Sequence, residues 1–300
     1  MTAAFLDSRD SGARRGGGPP LLRLQRQLAT ALGWGLTGLA FLLLAVAMVW
    51  ILEVVFMRGA DALKPQLFTT VTQGNGGGLL NAIEGTGVLS AGALLLAVPF
   101  GLASGIYVAE FPFSRWAMVI RFLSDILVGV PSIVLGYAGY VIMVVDLGWH
   151  FSVAAGCITL AMISLPYICR TTELALREVP MALREAGYAM GAGEGSVILR
   201  IALPQALPGV LTGILLALSI SVGETAPLLY TAGWSNFMWN GHLTHSPIGY
   251  LTYAVWTFIN EPFASANALA YAAAFLISGI VLAINVVARL VLRGRQAVRP

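Results

Sequence analysis

Six apolar runs, separated by short polar connections, set the pattern of this chain. They lie near Leu32–Phe56, Thr86–Ala109, Val119–Val145, Phe151–Cys169, Leu207–Ala232 and Ala268–Leu290. Each holds roughly 18 to 27 residues, the length a helix needs to cross about 30 Å of hydrocarbon. The pattern predicts an all-α membrane protein with six transmembrane helices. Ahead of the first run stands a polar stretch in which Arg14-Arg15 precede Gly16-Gly17-Gly18-Pro19-Pro20. It reads as a flexible tail over residues 1–30, with one six-helix domain over residues 31–300. It does not read as a cleaved signal, because the apolar run behind it is too long for a signal core and lacks a clean small-residue cleavage site.

Two runs are interrupted. The third carries Asp125, then Gly129, Pro131 and Ser132; the fifth carries Gly223-Glu224-Thr225-Ala226-Pro227. A proline inside a helix removes one backbone hydrogen bond and frees a carbonyl. In hydrocarbon that carbonyl needs protein or water, so such breaks face an interior or a pathway. A single proline is explained equally well as a packing kink. Two breaks, each with glycine, a hydroxyl and a carboxylate close by, favour a translocation pathway built on Asp125, Gly129, Pro131, Ser132, Gly223, Glu224, Thr225 and Pro227. A carboxylate at membrane depth needs a partner or water, and Glu224 is expected to gate or to position its helix rather than to bind an anion.

Between the fourth and fifth runs the pattern turns polar, and glycines recur every four residues at Gly187, Gly191 and Gly195. So little side chain there lets another protein approach the backbone closely. The segment over about residues 170–204 is the expected docking element for a partner.

Composition narrows the class. The chain is 58% hydrophobic and 10% charged, against about a quarter charged in soluble domains. The net charge of +3 gives no basis for nucleic-acid binding. Of seventeen Lys and Arg, only Arg58 and Lys64 fall in loops assigned outside, which puts both termini and the segment at 170–204 in the cytoplasm. No Gly-x-x-x-x-Gly-Lys-Ser/Thr motif occurs and no length remains for a soluble catalytic domain. The chain is therefore expected to be no enzyme, to hold no cofactor or metal, and to rely on a partner for any ATP hydrolysis. Cys157 and Cys169 read as buried thiols, and His242 and His245 as loop residues. The glycine-rich Gly74–Gly78 reads as a flexible turn, and the aromatic-rich Trp234–Phe263 as an external element at the membrane–water boundary.

The segment holding Glu185, Ala186, Gly191, Ile201, Leu203 and Pro204 matches in spacing the signature of ABC importer permeases, Glu-Ala-Ala, three residues, Gly, nine residues, Ile-x-Leu-Pro. Gly187 replaces the second Ala, a small residue for a small one. Gly-Val-Pro-Ser-Ile after Asp125, Gly-Glu-Thr-Ala-Pro-Leu-Leu around Glu224, and Arg170-Thr171-Thr172-Glu173 resemble the phosphate-specific branch, of the PstA rather than the PstC type. The resemblance runs from about Thr86 to Arg289. It implies the type I importer permease fold in the cell inner membrane, with ATPase coupling through Glu185, Ala186, Gly187, Gly191, Ile201, Leu203 and Pro204. It further implies a homologous PstC-type permease subunit, a PstB-type cytoplasmic ATPase dimer and an external phosphate-binding protein as partners, besides membrane lipid. One departure stands out: the family usually has Arg four residues before the Gly-Glu-Thr glutamate, where this chain has Ile220. Arg170 is then the cation left to serve the pathway. The competing readings are a permease for sulfate, molybdate or tungstate, and a membrane scaffold that docks the ATPase without moving solute.

Overall fold

The computed structural model describes residues 20–296, with side chains over residues 25–290. The chain divides into two compact units, Met1–Val54 and Val55–Pro300. The first holds most of α1 (Pro20–Ala62), whose apolar side chains there, Trp34, Phe41 and Trp50 among them, are exposed. The 43 residues of α1 make a rod of about 65 Å, twice the hydrocarbon thickness. It starts well before the expected end of the tail. Proline is favoured in a first helical turn, and the leucines and glutamines after Pro20 are good helix formers, so residues 20–30 are helical. Residues 1–19, the rest of the expected tail, lie outside the described residues.

In the second unit come the short α2 (Pro65–Thr69), a two-residue hairpin of β1 (Thr72–Gln73) and β2 (Gly76–Gly77), and the long α3 (Leu80–Glu110). The glycine-rich stretch is thus not a loose turn: Gly77 pairs with Thr72, and Gly78 N–H donates to the Val71 carbonyl. Next are α4 (Arg115–Gly129), α5 (Ser132–Gly139, continued by a π-helical turn over Tyr140–Asp146) and α6 (Val153–Arg177). Beyond them lie α7 (Met181–Ala189), α8 (Glu194–Val197), a second π-helical turn at Ile198–Ala202, α9 (Leu203–Gly223), α10 (Ala226–Thr231), α11 (Leu251–Phe258) and α12 (Ala264–Gln296).

Five described segments are long and apolar enough to cross a membrane, and α4 with α5 and its π turn form a sixth, bent by 101°. Helix directions show what that bent pair does. Gly92, Gly101 and Gly105 on α3 face Cys157, Ile168 and Thr172 on α6, so the two helices run parallel. A Cβ at any of these glycines would collide with the facing helix. Ala93, Ala97, Gly101 and Gly105 continue the stripe at four-residue spacing, and such small residues let backbones meet closely in lipid. Parallel helices require the intervening chain to return to the starting side, so the bent α4–α5 segment counts as one crossing. On the other flank of α6, Ser221, Gly213 and Gly209 of α9 face Ser164, Thr171 and Ala175, so α9 is antiparallel to α6. The helix α6, sandwiched between α3 and α9, is the most buried of the spans.

Two expectations change in detail. The third run is not one straight helix but turns sharply at Val130-Pro131, where Pro131 can begin α5 but cannot continue α4. The fifth run ends at Gly223; Glu224 is extended, and α10 starts a new direction with Pro227 in its first turn. The aromatic segment at 234–263 also proves to be more than a boundary element. Trp234 stacks on Tyr253 with centroids 4.6 Å apart, and Tyr250 is buried in the core with Leu89, Val153 and Leu228. Trp256 and Phe237 are exposed, as boundary residues would be.

Candidate functional site

The two interrupted helices meet. Gly136 of α5 lies against the backbone of Pro227 in α10, so close that a Cβ would overlap it. Ser132, in the first turn of α5, places its hydroxyl at the Glu224 carboxylate. The Glu224 carbonyl accepts a 2.8 Å hydrogen bond from Thr252 Oγ1, which satisfies one backbone group that the break exposes. Pro131, Ser132, Glu224, Thr225 and Pro227 therefore form one junction. Gly129 and Gly223 stand open beside it: a Cβ on either would meet nothing within 4 Å. Their smallness is not used for packing inside this chain, which leaves that face free for solute, lipid or another subunit.

Asp125 and Arg170 belong elsewhere. They line a cleft of about 330 Å³ between α4 and α6, with Arg121, Tyr167 and Glu173 in its wall. Glu173 is buried, yet three guanidinium groups converge on it: Arg177 at 2.8 Å, Arg121 at 3.0 Å and Arg170 at 3.2 Å. Arg121 also donates to the carbonyls of Pro112 and Val108, which fixes its plane. Three positive charges on one carboxylate leave two unneutralised, and Asp125 in the same cleft reduces the excess to one. Arg170 and Arg177 are half-exposed, so this excess charge faces outward. Since Ser164 stands opposite Ser221, Glu224 is level with about residue 161 of α6, and Arg170 lies roughly 14 Å farther along. The expected pathway residues thus divide between a junction of breaks and a basic cleft displaced from it.

The expected docking segment folds as helix, turn, helix. Glu185 and Ala186 are exposed on α7, alongside Met181 and Tyr188. Gly187 is not free for a partner. It is buried against Ile201 and Val197, where a Cβ would strike the Ile201 side chain, so its smallness packs α7 onto the following π turn. Ile201, Leu203 and Pro204 then lead into α9, which joins the segment to the span bearing Glu224. Gly191 has another reason to be glycine, its φ of +81°. Ala192 N–H donates to the Gly187 carbonyl and Gly191 N–H to that of Tyr188, which ends α7 in a left-handed glycine cap. Gly191 and Gly195 are exposed with open space around them, so close backbone approach remains available at those two. Arg184 anchors the segment: its Nη1 is 2.6 Å from Glu110 Oε2 at the end of α3, and its Nη2 donates to the Leu176 carbonyl.

Arg121, Arg177, Arg184 and Glu110 had not been singled out from the sequence. Arg170, Glu173 and Arg177 follow helical spacing, which was a visible signal for one charged face. Arg121 and Glu110 are distant in the chain from the groups they hold, and no periodicity connects them.

Residues 97–296 match the family described as "Binding-protein-dependent transport system inner membrane component". A Mycobacterium bovis protein named phosphate transport system permease protein PstA 2 is 42% identical over 95% of this chain and 96% of its own length. Phosphate transport system permease protein PstA of Yersinia pestis is 43% identical over 81% of this chain and 83% of its own. Among solved structures, an inward-facing form of the MetNI methionine ABC transporter aligns with a TM-score of 0.57 and 21% identity. It covers 72% of this chain and 93% of that one, which shows a shared fold.

Proposed function

This chain belongs to the family of binding-protein-dependent transport system inner membrane components, and from that membership we propose that it is the PstA-type permease subunit of an ATP-driven importer of inorganic phosphate. It is a multi-pass inner-membrane protein. A second, PstC-type permease subunit completes the pathway, a PstB-type ATPase dimer docks at α7 and the turn after it, and an external phosphate-binding protein delivers the cargo. Both termini and α7 are cytoplasmic in this reading, by the distribution of Lys and Arg.

The observation that carries the choice of cargo is the basic cleft. Arg121 and Arg170 in its wall, with Arg177 beside it on Glu173, outnumber Glu173 and Asp125 by one charge, which suits an anion and supplies the cation that Ile220 does not. Asp125 in the same cleft separates phosphate from sulfate. At neutral pH phosphate keeps at least one P–OH that can donate to a carboxylate, whereas sulfate has no proton to give, so Asp125 would repel it. Reconstituted complexes carrying Asp125→Asn test the reading. Wild type is expected to take up phosphate and reject sulfate, and the variant to lose much of that preference while Arg170→Gln loses uptake. Uptake of sulfate by the wild type as fast as phosphate would overturn it, and so would a complex that hydrolyses ATP but moves neither anion.

A further inference from the structure

A second, much smaller cavity of about 10 Å³ lies behind the junction, where α3, α9 and α11 meet. Its polar wall is made by Thr86, Ser90, Ser221, Glu224, Tyr250 and Thr252, with the Thr86 hydroxyl already donating to the Ala82 carbonyl and accepting from Leu251 N–H. Some of these hydroxyls are already occupied: Ser221 shares a 2.9 Å hydrogen bond with Ser164, and Thr252 donates to the Glu224 carbonyl. Two are not. Ser90 Oγ and Tyr250 Oη have no hydrogen-bond partner among the described residues, although Ser90 is 3% exposed and Tyr250 1%. Burial pushes the Tyr250 phenol up, so it remains a protonated donor. A buried hydroxyl without a partner is costly, and native proteins rarely leave one so.

The volume identifies what fits. A water molecule needs about 10 to 15 Å³ of such space and two to four polar partners, and this cavity meets both conditions for one water only. No oxyanion fits. We propose that the cavity holds a single water that accepts from the Tyr250 phenol, bonds to the Ser90 hydroxyl and donates to the Glu224 carboxylate. Tyr250 is then a positioning residue. Through this water and the direct Thr252 bond, α11 holds the broken end of α9, with Glu224 turned toward Ser132 on one side and toward the water on the other. Glu224 thus serves the junction and not the cargo.

The effect on transport rests on the importer reading; the water itself does not. In a high-resolution structure of the complete complex without cargo, density is expected within hydrogen-bond distance of Tyr250 Oη, Ser90 Oγ and Glu224. In uptake assays, Tyr250→Phe keeps the ring but is expected to lower the maximal rate about five- to tenfold at nearly unchanged apparent affinity. Ser90→Val, which fills the space, should lose a similar amount. Neither loss should add to that of Glu224→Ala, because all three interrupt one link. An empty cavity, a direct Tyr250–Glu224 bond, or a Tyr250→Phe complex with the wild-type rate overturns the proposal. If the wild-type complex moves no phosphate, the importer reading fails, and the density in the cargo-free complex still decides the water.

Discussion

Replacing Arg184 with Ala should release the α7 segment from the end of α3. The guanidinium and the Glu110 carboxylate are 12% and 9% exposed, with 2.6 Å between Nη1 and Oε2. Glu110 Oε1 is buried without a partner among the described residues already, so loss of Arg184 strands the whole carboxylate and also frees the Leu176 carbonyl. An exposed ion pair would contribute only about 0–1 kcal/mol. At this burial, removing one partner costs about 3–5 kcal/mol, and the cost falls on local opening of α7, the element that Arg184 ties to α3 and, through the Leu176 carbonyl, to α6. Since about 1.4 kcal/mol is a tenfold change in an equilibrium, the open population should rise by about two to three and a half orders of magnitude. Chymotrypsin cleavage after Tyr188, half-exposed in the intact segment, reads that population in detergent-solubilised complex. Arg184→Lys should fall between wild type and Ala, keeping the charge and losing the two-pronged contact. Combined with Glu110→Gln, Arg184→Ala should cost far less than the sum of the two single changes. Wild-type cleavage of Arg184→Ala, or strictly additive effects, would refute the assignment of this pair as the anchor.

Three other outcomes are expected. Glu173→Gln removes the charge shared by Arg121, Arg170 and Arg177, so phosphate should be held longer, with KM and maximal uptake rate both falling by several-fold; an unchanged KM counts against the cleft as the anion's route. Gly191→Ala forces a side chain into a φ of +81° at a cost of about 1 kcal/mol, so ATP hydrolysis should lose its dependence on cargo before the complex loses its subunits, and Gly191→Asn should be milder. A cysteine placed at Phe237, which is 76% exposed, should react with an impermeant reagent from outside intact cells in a background lacking Cys157 and Cys169; reaction only after lysis would invert the topology.

Much of this architecture could be read from residue order because lipid imposes strict rules. The apolar runs and their two interruptions follow from the cost of unpaired backbone in hydrocarbon, and both breaks appear where Pro131 and Glu224-Thr225 predict them. The angle at Pro131 was not legible, since proline dictates a lost hydrogen bond and not the direction taken afterwards. The four-residue stripe from Ala93 to Gly105, not singled out from the sequence, was a signal for a close helix contact, though not for which helix it would meet. The glycines of the expected docking segment show the opposite case. Identical in type, Gly187 and Gly191 serve internal packing and a left-handed cap respectively, and only three-dimensional neighbours distinguish them. Tyr250 was misread for a similar reason, because an aromatic near a membrane boundary and an aromatic in a core share the same composition.

The helix α3 has tethers at both ends. At one end Glu110 holds Arg184 of the α7 segment. At the other, Glu84 accepts from Trp239 N–H, Thr86 accepts from Leu251 N–H, and Asn81 donates to the Ser235 carbonyl. Between these ends lie 31 residues, about 45 Å of rod. Such a rod works as a lever arm: a displacement imposed at Glu110 arrives at Thr86 without a relay of side chains in between. In the importer reading, a stroke delivered at α7 and the posture of the segment around α11 are then two readings of one mechanical coordinate, and Pro99, which removes a backbone hydrogen bond partway along, is where that arm would flex.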